Sequence, residues 1–353
     1  MSQFVRPELA ELPAYVPGKP APVGPGGVSY KLSSNENPFP PLPGVLEAVA
    51  AACARMNRYP DMANAAVIEA TADRLGVAGD QLAFGSGSSG VLYHLIQATC
   101  TAGDEVVFAW RSFEAYPIAV RLTGATPIMV PLGPGGVHDL DAMLAAITPA
   151  TKMILVCSPN NPTGPAIGHD ELAAFIAAVD GRALVVLDEA YREFVATPPR
   201  TIELIKDHPG LVSLRTFSKA YGLAGFRVGY CIADPALAGA VRKTAIPFGV
   251  SAPAQAAVIA SLAAERELLD RVAVIIERRD ALLSRLRATG LEVPDSQANF
   301  VWLPLGDRTT AAVKTFTEAG LMVRGYGDDG LRITVGEPEA CDLAVEVAGT
   351  LVN

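Results

Sequence analysis

The chain has 353 residues, half of them hydrophobic and 18% charged, with a formal net charge of −9. That length exceeds one ordinary compact core and predicts about two domains, in a well-packed globular protein rather than a disordered one. The acidic balance lacks the basic stripe that a phosphate backbone demands, which argues against a nucleic-acid partner.

The opening to about Asn37, with PAYVPGKPAPVGPGGV, is rich in Pro and Gly and reads as an irregular arm. It carries no basic start followed by an apolar core, so no secretory signal is expected, and no run of about 18 apolar residues suggests a membrane span. The chain is therefore expected in the cytoplasm. From Pro43 onward, strand-like and helix-like runs alternate. A short strand ending at Phe84 precedes GSGSSG, and Val91, Leu92, Leu95 and Ile96 then follow helical spacing, closed near Gly103. EVVFA, TPIMV, KMILVC, ALVVLD and LVSLRT are short β-branched runs separated by helical stretches such as DELAAFIAAVD. Near-continuous apolar strands alternating with helices predict a mostly parallel sheet covered on both faces. After Gly229 the texture changes to a long helical region from about Ala254 to Thr289. NFVWLPL, LMVRGY and LRITVG follow, giving a smaller α+β unit. The expected division is an arm at 1–37, a large domain at 38–245 and a small domain at 246–353.

The five cysteines (Cys53, Cys100, Cys157, Cys231, Cys341) are scattered singly and read as free thiols. Neither they nor the four histidines have metal-ligand spacing, and no metal site is expected.

In open α/β sheets the ligand lies beyond the carboxyl ends of the strands. Four strand ends there offer a Gly/Ser loop (GSGSSG), an amide (Asn161), a carboxylate (Asp188) and an amine (Lys219). The loop can aim backbone N–H groups at a phosphate, with Ser88 and Ser89 adding hydroxyls; its bland reading is a flexible turn. No Gly-Lys-Ser/Thr follows, so it is not a P-loop. Asp188 at a buried strand end needs a partner; one is a ring nitrogen kept protonated, and the plainer one is a helix N-cap. Lys219 is one of seven lysines and the one set among Ser, Gly and aromatic residues. Desolvation beside other cations would lower its pKa and make it a nucleophile; most lysines are instead surface residues. Ser218 and Arg227 flank it as phosphate ligands.

The segments SNENP (34–38), RYPD (58–61), SPNNPTG (158–164), DEAY (188–191), SKAYGLAGFRVGY (218–230) and LRITVG (331–336) run through nearly the whole chain in this order. Together they resemble the fold-type I pyridoxal-phosphate aminotransferases. Within these the chain is most similar to the histidinol-phosphate aminotransferase branch and its actinobacterial aromatic (phenylalanine) aminotransferases, to which RPELAELPAYVPGK and SFEAYP (112–117) point. The resemblance implies the α/β fold of that group, with a large cofactor-binding domain, a small domain on which the arm packs, and pyridoxal 5′-phosphate as cofactor. It makes Lys219 the residue that carries the cofactor and moves the proton. Asp188 would pair with the ring nitrogen, Asn161 and Tyr191 would bond the ring hydroxyl oxygen, and Phe113 would stack on the ring. Ser88, Ser89, Thr216, Ser218 and Arg227 would cradle the phosphate. Tyr59 would reach the phosphate of a neighbouring subunit, implying a homodimer with shared sites. Arg332 would bind the substrate acid group with Arg324 as helper, and Tyr15 and Asn35 would also face the substrate. A guanidinium suits a carboxylate because it binds in a bidentate fork. Many relatives carry an acidic residue after the loop serine, where this chain has Ser89 and Gly90, leaving the phosphate loop to its backbone donors.

The implied reaction passes an amino group from an amino acid to a 2-oxo acid in two half-reactions. The expected pair is an aromatic amino acid (Phe, Tyr, Trp) and 2-oxoglutarate, with histidinol phosphate the alternative donor. Tyr15, Tyr116 and Trp110 are candidates to line a side-chain pocket, the plainer reading of such aromatics being core. A decarboxylase of a phosphorylated amino acid shares the fold. A non-catalytic cofactor-binding module is disfavoured by the absence of a helix-turn-helix segment before the core.

Overall fold

The computed structural model describes residues 4, 5, 12, 14, 15, 18, 20–27 and 29–352. Most of the opening RPELAELPAYVPGK therefore lies outside the described residues. In chain order the elements are β1 (Tyr30–Lys31), α1 (Val45–Cys53), α2 (Ala65–Leu75), β2 (Leu82–Ser86), α3 (Gly87–Thr99), β3 (Glu105–Trp110), α4 (Ala115–Leu122) and β4 (Thr126–Pro131). Then come α5 (Leu140–Ala145), β5 (Thr151–Cys157), α6 (His169–Val179), β6 (Leu184–Asp188), α7 (Thr201–Asp207), β7 (Leu211–Thr216), β8 (Val228–Ile232) and α8 (Pro235–Thr244). The chain closes with α9 (Ala252–Ala263), α10 (Glu265–Ala288), β9 (Phe300–Leu303), α11 (Thr309–Glu318), β10 (Leu321–Met322), β11 (Arg324–Tyr326), β12 (Gly330–Thr334) and α12 (Pro338–Gly349).

The main sheet has seven strands in the order β2-β8-β7-β6-β5-β3-β4. All its pairings are parallel except those of β8, which runs opposite to both β2 and β7. Its strands are apolar at successive positions because both faces are covered. Val106 and Phe108 of β3 enter one core cluster, while Val107 and Ala109 enter the other. Burial on both faces removes the alternation that a half-exposed strand would show. The mostly parallel sheet read from the sequence is thus present.

Two expectations change. The segment VGYCI, placed where the pattern leaves the sheet, is the antiparallel strand β8, second from the β2 edge, and is wholly buried. The helical region at 254–289 is two helices that meet at Ala264, whose backbone (φ −98°, ψ 31°) leaves the helical region. No Gly or Pro marks that break. Helix α9 packs against α1 and α2, whereas α10 packs against α12 and β9.

The smaller sheet, β11-β12-β9, is antiparallel throughout. Ahead of it in sequence, β1 pairs in parallel with β10. Thr334 N then donates to Leu32 O at 2.9 Å, and Asn35 N donates to Thr334 Oγ1 at 3.0 Å. These bonds bring the 32–35 segment beside the carboxyl ends of the main sheet. No helix among the described residues is long and apolar enough to cross a membrane.

Candidate active site

The carboxyl ends of β5, β6 and β7 and the β2–α3 turn open on one cavity of about 460 Å³, a size ordinary for a small-molecule site. It is lined by Ser88, Ser89, Phe113, Asn161, Asp188, Tyr191, Thr216, Ser218, Lys219 and Arg227 from the main-sheet side, and by Tyr15, Asn35, Arg324 and Arg332 from the other. Of the residues expected to bind cofactor or substrate carboxylate, every one except Tyr59 is there. Tyr59 lies elsewhere, 82% exposed, its ring stacked 4.5 Å from that of Phe248.

Lys219 points its Nζ to the carbonyl of Ser34 at 3.0 Å. Burial pushes its pKa down to about 7; Arg332 and Arg227 reinforce the shift, while Glu36 and Asp188 oppose it. Asp188 shows the mirror effect. Burial pushes its carboxyl up to about 6, against the Tyr116 hydroxyl, which donates to Oδ2 at 2.8 Å, and the Ala190 amide at 3.2 Å. An amine with a lowered pKa and a costly carboxylate thus share one desolvated chamber. Asp188 does not cap a helix, since the next helical turn begins after Tyr191.

Arg332 is 5% exposed. It donates through Nη1 to Asn161 Oδ1 and through Nη2 to Ser33 O at 2.6 Å, leaving its buried Nε without a partner. Asn35 Nδ2 donates to the Tyr191 hydroxyl at 2.9 Å, and its Oδ1 accepts from Thr334 at 3.1 Å. Neighbouring Asn160 serves the loop: it accepts from Ser112 at 2.8 Å and donates to Thr163 Oγ1 at 2.8 Å. Arg227 donates to Ser218 Oγ at 3.2 Å and reaches Ser89 Oγ at 3.5 Å.

Behind the cavity, Glu189 is buried in a charged network. Arg215 Nε donates to its Oε2 at 3.0 Å, and Arg192 Nη1 to its Oε1 at 2.7 Å. Arg215 Nη2 also stands 2.9 Å from Oε2, as an ion pair rather than an aligned hydrogen bond. Burial alone would raise the Glu189 pKa, but Arg215 and Arg192, with Ser213 and Thr201, hold it low.

Three residues were not anticipated in their observed roles. Tyr116, a candidate pocket wall, is instead fully buried beneath Phe113, edge-on at 5.6 Å, and anchors Asp188. Trp110 packs edge-on against Phe108 and does not line the cavity. Glu114, beside Phe113, accepts from Arg324 Nη2 at 2.7 Å and faces the cavity. The SFEAYP segment flagged the neighbourhood, but only the fold of α4 decides which side chain faces inward.

Residues 29–347 match the model for "Aminotransferase class I and II". The chain belongs to that family. As a class I and II aminotransferase it is a transaminase that depends on pyridoxal 5′-phosphate and acts on amino and 2-oxo acids. Similar proteins include the aromatic amino acid aminotransferases of Streptomyces coelicolor, 55% identical over 98% of this chain and 97% of theirs, and of Rhodococcus jostii, 53% identical over 97% and 94%. Among solved structures, histidinol-phosphate aminotransferase from Sinorhizobium meliloti, in complex with pyridoxal-5′-phosphate, is 30% identical with a TM-score of 0.88 over 99% of both chains.

The chamber of this aminotransferase fits that cofactor on its own geometry. A Cβ at Gly229 would stand 2.2 Å from Ser88 N, so the β2–α3 turn lies flush against β8, and Ser88 and Ser89 line the cavity. The turn is held by Gly87 in a left-handed conformation (φ 74°), where a side chain would strike Arg227. Amides at a helix start beside an arginine suit a phosphate. The raised Asp188 suits a cationic ring nitrogen. Residues fit the group.

Proposed function

We propose that this aminotransferase moves an amino group between an aromatic L-amino acid and 2-oxoglutarate. One observation carries the aromatic assignment: Tyr15 and Tyr326 line the cavity with Arg332, the Tyr326 ring centre 5.6 Å from the Arg332 guanidinium carbon. The names of the relatives at 53–55% identity support the same choice.

The cofactor, when bound, supplies an aldehyde for the amine and an electron sink for the bond broken at Cα. The protein supplies the rest. Asp188 offers its carboxylate to the ring nitrogen, and Tyr116 and Ala190 keep that carboxylate oriented and ionised. Asn161 and Tyr191 lie where they would bond the ring oxygen; Phe113 would cover one ring face. Ser88, Ser89, Thr216, Ser218 and Arg227 would hold the phosphate. Arg332 offers its unpaired Nε and a neighbouring Nη to the substrate carboxylate, with Arg324 farther along the side chain. Lys219 Nζ, its pKa lowered to about 7, takes the proton from the substrate Cα and returns it during the transfer.

The same reading makes the enzyme a homodimer in which Tyr59 serves the partner's cofactor phosphate. Its support is the exposure of Tyr59 beside Met62, Ile246 and Phe248, also exposed apolar residues. The test of substrate is side-by-side kinetics with phenylpyruvate and imidazole acetol phosphate as amino acceptors. Preference for phenylpyruvate is expected; a wide margin for the imidazole phosphate would make histidinol phosphate the substrate instead.

A further inference from the structure

The cations of the cavity fall into two kinds. Arg227 and Arg332 form no ion pair with a carboxylate among the described residues, and each faces a place where an anion would bind. The arginines at the other end are already matched: Arg324 by Glu114 at 2.7 Å, and Arg111, just outside, by Asp329. The Arg324–Glu114 pair is well shielded, with side-chain exposures of 12% and 28%. Tyr326 lies between the two kinds. The guanidinium carbons of Arg332 and Arg324 each stand 5.6 Å from the centre of its ring. A substrate whose carboxylate sits on Arg332 therefore extends its side chain along Tyr326 toward Arg324.

At that point the chemistry of the side chain matters. An uncharged ring meets a neutral pair and the faces of Tyr326 and Tyr15. A second carboxylate meets a guanidinium whose Nη2 already donates to Glu114, a like charge. Charge-assisted bonds to arginine are among the strongest a pocket offers, so an internal carboxylate is a serious competitor for the same donors.

We propose that Glu114 sets the charge selectivity of the substrate pocket, by neutralising Arg324 and so favouring uncharged side chains over a second anion. The inference rests on the aminotransferase reading with an aromatic donor and adds the residue that enforces the choice. A dicarboxylate partner binds only by displacing Glu114 from Arg324, which makes Glu114 the residue that balances the two half-reactions.

The test uses holoenzyme and follows the cofactor absorbance through single half-reactions with L-phenylalanine and with L-glutamate. Glu114→Gln should raise the ratio of kcat/KM for glutamate over phenylalanine about tenfold or more, and Arg324→Gln should lower it. A second readout needs no turnover: titration with the unreactive acids glutarate and 3-phenylpropionate. Glu114→Gln should tighten glutarate about tenfold relative to 3-phenylpropionate. An unmoved ratio in a folded, cofactor-loaded Glu114→Gln enzyme overturns the proposal. If that variant does not fold, a ratio left unchanged or raised by Arg324→Gln overturns it equally. Wild-type enzyme inert toward phenylalanine would instead defeat the aromatic assignment, and the acid titrations would still report on Glu114.

Discussion

At the scale of single residues, the chemistry depends on what burial does to two charges. An ordinary lysine at pH 7 is neutral in only about 0.03% of molecules. Lys219, lowered to about 7, is neutral in about half of them. Its nucleophilicity should therefore rise through pH 7 and level off by pH 9, while the other lysines go on gaining toward pH 10 and above. Reductive methylation of the apoenzyme with formaldehyde and cyanoborohydride, mapped by mass spectrometry across pH, measures this directly. A Lys219 labelling midpoint above 9 would mean that the chamber does not desolvate the amine. The second charged residue to matter is Glu189, one position past Asp188. It is 2% exposed and held by Arg215 and Arg192. Glu189→Ala would leave Arg215 buried without its counter-ion, and breaking a buried pair in this way costs about 3–5 kcal/mol. Urea unfolding of the apoenzyme should show that loss, with Glu189→Gln intermediate because its amide oxygen still accepts. A loss below about 1 kcal/mol would show that Arg215 finds another acceptor.

At the scale of elements, the site depends on how closely β8 meets the start of α3. Gly229→Ala would place a methyl 2.2 Å from Ser88 N, against backbone that has no rotamer to yield. Overpacking of this kind costs about 1–3 kcal/mol even among side chains. The expected result is a lower Tm of the apoenzyme together with cofactor affinity weakened at least tenfold. Gly225→Ala meets nothing within 4 Å and serves as the control. Cofactor affinity equal to wild type in Gly229→Ala would show that the turn is not the phosphate cradle. The same elements explain what the sequence could and could not disclose. Strands β3, β5, β6 and β7 were legible because two-sided burial writes an unbroken apolar run. Lys219, Asp188 and Asn161 were legible because each sits next to such a run in a distinctive motif. Strand β8 was obscured by its glycine, and the break at Ala264 by helix-forming residues on both sides. Tyr116 and Glu114 were hidden for a different reason. Their partners lie 72 and 210 positions away, and nothing local records such a contact.

At the scale of the whole molecule, the proposed dimer predicts that Tyr59 serves the partner's site. Tyr59 is far enough out that the cavity of its own chain is lined without it. In the dimer proposed above, its hydroxyl completes the partner's phosphate site, a charge-assisted bond whose loss costs about 1.5–3 kcal/mol, or roughly ten- to a hundredfold in affinity. Tyr59→Phe should weaken cofactor binding by that amount. The decisive preparation is a hybrid dimer, purified through two different tags, of one Tyr59→Phe chain and one Lys219→Ala chain. Only the Tyr59→Phe chain retains the amine, so the hybrid has one site able to form the covalent link. If the tyrosine acts across the interface, that site receives an intact Tyr59 from the Lys219→Ala chain. Its cofactor affinity, read from the borohydride-trappable absorbance, should then match wild type. If the tyrosine acts within its own chain, the same site stays as weak as the Tyr59→Phe homodimer, and the shared-site arrangement fails. The result is independent of substrate, since neither reading of the donor enters the measurement.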